Sequence, residues 1–70
     1  MDYHLIATFG TSSPYVNDAH SLADALVLAE EAVEKGASLK VSYVEKGKGD
    51  HKTHRLVAGH MFLSMNGVSA

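Results

Sequence analysis

Between Ser21 and Gly36 the chain reads SLADALVLAEEAVEKG, and its apolar positions recur at helical spacing. Leu22, Leu26, Ala29 and Val33 form a stripe widened by Ala25, Leu28 and Ala32, whereas Asp24, Glu30, Glu31, Glu34 and Lys35 fall mainly on the other side. Ser21 supplies an N-cap hydroxyl, and Asp24 is a shorter stand-in for the Glu or Gln of a capping box. Gly36 sits where a left-handed residue ends a helix, and Lys35 places a cation at the negative end of the dipole. This pattern predicts a helix of roughly four turns, able to bury one stripe against a second layer.

On either side of it the period drops to two. Tyr3, Leu5, Ala7 and Phe9 alternate with His4, Ile6 and Thr8, predicting a first strand over residues 3–9. Leu39, Val41 and Tyr43 alternate with Lys40, Ser42, Val44 and Lys46, predicting a second over residues 39–46. Gly47 to Asp50, GKGD, is a turn of hairpin length. From Lys52 to Met65 the chain is again β-compatible, but both of its faces are apolar. Val57, Gly59, Met61, Leu63 and Met65 would share one face, and His54, Leu56, Ala58, His60 and Phe62 the other. Gly59 could mark a bulge or a break between two strands, and Met61-Phe62-Leu63 could instead open a helical turn. Residues 10–20, GTSSPYVNDAH, hold the residues of turns and read as a long connection. In it, Tyr15 and Val16 are expected to fold back over one end of the core. Residues 66–70 read as a frayed tail.

The order strand, helix, strand, turn, strand predicts an α+β fold. It is a small two-layer β-α-β-β domain, a three-stranded, mainly antiparallel sheet with one helix on one face. Seventy residues make a single domain, 1–70, near the lower size limit for one hydrophobic core. There is no Cys, so helix-on-sheet packing must hold the fold, helped by oligomerisation if that occurs. No apolar run approaches the ~20 residues of a membrane span and no signal-peptide core opens the chain. The expected location is therefore cytoplasmic, with no membrane partner.

A formal net charge of −2 argues against whole-surface attraction to nucleic acid. The charge is unevenly placed: the helix region is acidic, and the later loop carries Lys46, Lys48, Lys52 and Arg55. Those four residues on a flexible hairpin form the candidate nucleic-acid contact, although no aromatic residue is interleaved to stack a base. Five histidines raise a metal question. His4, His54 and His60 share one predicted face, and His51 and His54 are spaced H-x-x-H, yet no Cys or acidic third ligand lies nearby in sequence. Histidines without a metal are the simpler reading, and no cofactor motif is present: Gly47-Lys48-Gly49 leads into a strand rather than a helix. Ser12 and Ser13 lack a nucleophile-elbow setting, and the chain is small for an enclosed substrate cleft, so no enzymatic activity is expected.

The face that one helix leaves uncovered carries most weight. Ile6, Val44, Leu56 and Phe62, together with His54 and His60, would form an apolar patch larger than a small monomer usually exposes. The expected function is protein binding by an accessory or inhibitor protein, through this face and the basic hairpin. Self-association as a homodimer is its simplest version. A phage or mobile-element protein targeting a host factor fits the size. A nucleic-acid-binding regulator is the alternative, and a histidine-based metal binder the third.

Overall fold

A stripe of small residues on the central helix sets how closely the two layers of the fold approach. The structure, a computed structural model, describes residues 2–68. The elements run β1 (Tyr3–Thr8), β2 (Tyr15–Ala19), α1 (Leu22–Glu34), β3 (Ser38–Lys46), β4 (Lys52–Ala58) and α2 (Gly59–Met65). The sheet has four strands in the order β2-β1-β3-β4, every neighbouring pair antiparallel. Both helices lie on one of its faces. The α+β class and the antiparallel sheet agree with the sequence pattern, but there are four strands rather than three and two helices rather than one.

Helix α1 has the termini that its sequence implies. Ser21 Oγ accepts a hydrogen bond from the Asp24 backbone N–H at 3.2 Å. At the other end Gly36 takes φ 80°. Its N–H bonds to Val33 and that of Ala37 to Ala32, the paired bonds of a Schellman stop. Ala25 and Ala29 are the fully buried residues, with Leu26, Leu28, Ala32 and Val33 half-buried around them. Leu22, expected in the buried stripe, is exposed. Small side chains at the line of contact let the helix backbone come close to the sheet, so Leu26 flanks the stripe rather than centring it.

The run expected as one long third strand divides at Gly59. A Cβ on Gly59 would lie 2.7 Å from Leu39 Cβ and Cδ2, so only glycine lets the chain turn there from β4 into α2 against β3. The turn brings Phe62 into the core. Phe62 is 2% exposed, and its ring sits 5.8 Å from that of Tyr3 and 5.9 Å from that of Tyr43. The placement of Phe62 on the uncovered face is therefore corrected, because a helix beginning at Gly59 no longer follows strand alternation. Residues 66–68 are not frayed. Gly67 has φ 79°, the Val68 N–H bonds to Leu63, and Val68 packs against the core, a second Schellman stop. Residues 69–70 of the expected tail lie outside the described residues.

The other correction is β2. The expected long connection contains a short hairpin partner of β1, with Ile6 opposite Val16 and His4 opposite Asp18. Strands β2 and β3 thus run the same way on either side of β1, and α1 is the crossover that joins them. No helix among the described residues is long and apolar enough to cross a membrane.

Candidate binding face

Because side chains alternate along a strand, the register decides what meets on the uncovered face. Tyr3, Leu5 and Ala7 of β1 and Leu39, Val41 and Tyr43 of β3 are buried beneath the helices. The intervening residues look outward in cross-strand rows. Val16, Ile6, Lys40 and Ala58 form one row; Asp18, His4, Ser42 and Leu56 form the next. Val44 and His54 pair in the row beyond, and Lys46 pairs with Lys52 at the hairpin end. Ile6, Val44, Leu56 and His54, predicted to share this face, do lie on it. Val16 at 62%, Leu56 at 57% and Val44 at 37% exposure are its largest open apolar residues.

His60 does not lie there. It is an exposed residue on α2, beside Val33, Ala37 and Lys40 in a cleft at the far end of the sheet. The grouping of His4, His54 and His60 is therefore not assembled. Among the described residues no three His, Asp or Glu side chains converge as a metal site. The basic set is divided as well. Lys46 and Lys52 stand on the uncovered face and Lys48 in the turn, but Arg55 sits opposite Tyr43 on the helix-covered side. There its Nε donates to Glu45 at 2.9 Å, a bond that raises the guanidinium pKa further.

Sequence reasoning missed a polar cluster at the centre of this face. His4 Nδ1 donates to Asp18 Oδ1 at 2.6 Å across β1 and β2, and Ser42 Oγ shares a hydrogen bond with His54 Nε2 at 2.9 Å across β3 and β4. Ser42 lies directly opposite His4 and is only 8% exposed. Asp, His and Ser thus stand in one row, the residue types of a hydrolytic triad. However, the Ser42 hydroxyl is engaged by His54. The backbone N–H groups of β1 and β3 are tied into a sheet paired on both sides, so they offer no cradle for an oxyanion. The arrangement is suited to holding the four strands in register and presenting polar groups. The signal for it was the alternation of Val16, Asp18 and His20 against Tyr15, Asn17 and Ala19.

Toward the hairpin the face dips into an open groove of about 540 Å³ lined by Asp2, His4, Val44, Lys46, Lys52 and His54, with Tyr43 at its floor. At its edge His20 Nδ1 donates to Asp2 Oδ1 at 3.0 Å. Asp2 raises the His20 pKa above its ordinary 6.5, first through the hydrogen bond and then through its charge. The same hydrogen bond lowers the Asp2 carboxyl below 3.8. The sign follows: the histidine contribution is complete below 6.5 and lost as pH rises through the raised value. The carboxylate contribution is present above 3.8 and lost as pH falls through the lowered one. Asp2→Asn should bring the His20 midpoint back toward 6.5 in an NMR titration; an unmoved midpoint would contradict the contact.

No model of a known protein family matches the chain, and no curated protein or solved structure does so either.

Proposed function

We propose that this chain is a small non-enzymatic binding protein that engages a protein partner through the uncovered face of its sheet. The supporting observation is the one-sided placement of both helices, which leaves Ile6, Val16, Val44 and Leu56 grouped around a hydrogen-bonded polar centre on the opposite side. The apolar side chains and the paired His4–Asp18 and Ser42–His54 groups suit burial against a partner, while Lys40, Lys46 and Lys52 on the same face can carry their ammonium groups out to solvent on flexible stems. Phosphate tracking is less well served. Asp2 and Asp18 share the face with its lysines and would meet the backbone of a nucleic acid as like charges.

Leu56 sits on edge strand β4 and Val27, 63% exposed, on the outer side of α1, so aspartate at either position should leave the fold intact. Tagged baits of the unaltered protein, Leu56→Asp and Val27→Asp can be compared in native lysate. The expected result is one partner held by the unaltered and Val27→Asp baits and lost from Leu56→Asp. A partner retained by Leu56→Asp but lost from Val27→Asp would move the interface to the helices.

A further inference from the structure

The asparagines of the chain are Asn17 and Asn66. Asparagine is among the thermally labile side chains, and its lability depends on the next residue, whose peptide nitrogen can attack the amide carbon. Asn17 is followed by Asp18, whose Cβ crowds that nitrogen. Asn66 is followed by Gly67, where a Cβ would meet nothing within 4 Å and none is present. In the folded chain both reacting groups are held. Asn66 caps α2, and its Nδ2 donates to the Phe62 carbonyl at 2.8 Å. The Gly67 N–H donates to the Ser64 carbonyl at 3.1 Å and the Val68 N–H to that of Leu63 at 2.9 Å, with the Val68 side chain against the core. A peptide nitrogen must shed its proton before it can attack, and the Gly67 proton is engaged in this stop. Helix α2 has only seven residues, so its last turn opens at far less cost than the paired sheet.

We propose that Asn66 is a site of spontaneous deamidation, gated by opening of the last turn of α2, and that the change unlatches that turn permanently. When the turn opens, the Gly67 nitrogen loses its proton and bonds to Asn66 Cγ. The Cγ–Nδ2 bond breaks, and Nδ2 departs as ammonia with the proton that Gly67 gave up. Water then opens the resulting cyclic imide. Attack at Cγ restores the peptide bond and leaves aspartate, whereas attack at the main-chain carbonyl carbon leaves isoaspartate. The net change is water in and ammonia out, with no oxidant or reductant. Neither product can rebuild the cap. An ionised aspartate only accepts hydrogen bonds, so it cannot donate to the Phe62 carbonyl, and its charge lies at the negative end of the helix dipole. Isoaspartate runs the main chain through Cγ and shifts Gly67 and Val68 out of register with Ser64 and Leu63. Because α2 carries Phe62 and Leu63 in the core, loosening its end loosens the fold. The device is separate from the binding face and does not depend on it.

Peptide mapping by mass spectrometry tests this on the whole chain, aged in mildly alkaline buffer either folded or in urea. In urea Asn66 should convert to a mixture of aspartate and isoaspartate while Asn17 stays largely intact. In the folded chain the same conversion should be slower by on the order of tenfold or more, following the fraction of time the turn is open. Val68→Ala, its fold checked by circular dichroism, should speed the folded reaction and leave the rate in urea unchanged, since it weakens the stop without touching the reacting atoms. Asn66→Asp should have a lower urea midpoint than the unaltered protein. Equal rates folded and in urea, or a folded rate that Val68→Ala does not raise, would overturn the gating. Aspartate formed without isoaspartate would overturn the attack by Gly67. An Asn66→Asp protein as stable as the unaltered one would overturn the unlatching.

Discussion

Phe62→Ala should lower the unfolding free energy by about 3–5 kcal/mol, and Phe62→Asp should leave no cooperative unfolding transition. Phe62 is the largest fully buried side chain, packed against both the Tyr3 and Tyr43 rings, in the same buried core as Leu63. A domain of 70 residues has a total margin on the order of 4–10 kcal/mol. Truncating the phenyl ring removes a large part of that margin, and an aspartate adds an unpaired carboxylate in a site lined by rings and aliphatic groups. Urea melts followed by circular dichroism read both variants. A folded Phe62→Asp protein would mean that the side chain points away from the helices and that the last segment continues as a strand.

The second large effect concerns Gly59. Alanine is ordinarily the better helix former, yet Gly59→Ala should destabilise by about 1–3 kcal/mol through overpacking. The new methyl would fall 2.7 Å from Leu39 Cβ, an atom fixed to β3, so rotation of the leucine side chain cannot relieve it. Either α2 must lift or β3 must bend. Gly59→Val should be worse, since its branches extend into the same leucine. An alanine variant as stable as the unaltered protein in urea would show that α2 does not rest on β3 as described.

These two positions also mark where the sequence stopped being readable. Helix α1 was legible because a capping serine, an apolar stripe and a terminal glycine all agree over thirteen residues. Strands β1 and β3 were legible because Tyr3, Leu5 and Ala7 on one and Leu39, Val41 and Tyr43 on the other recur at every second position and share the face in the core. The seven residues of α2 are too few to establish a helical period, and Ala58 at its start makes no side-chain cap bond. Its one clear signal was Asn66-Gly67, a helix stop that reads equally well as a loose end. Strand β2 hid for a different reason: four of its five residues are exposed, and Asn17 and Asp18 have poor strand propensity, so only its pairing with β1 defines it. Of the face residues, Ile6 and Val44 could be placed by alternation alone, whereas His54 and Leu56 lie in a run apolar on both faces and are fixed by the pairing of β4 with β3. Asp18 and Ser42 acquire meaning only once β2 and β4 are set beside the two central strands.

The claim that matters most is that this uncovered face is the working surface of the protein. A photo-activatable amino acid introduced at position 56, on the face, and separately at position 27, on the outer side of α1, tests it in native lysate. The account predicts defined protein adducts from position 56 and only background from position 27. Adducts from position 27 with none from position 56 would contradict it.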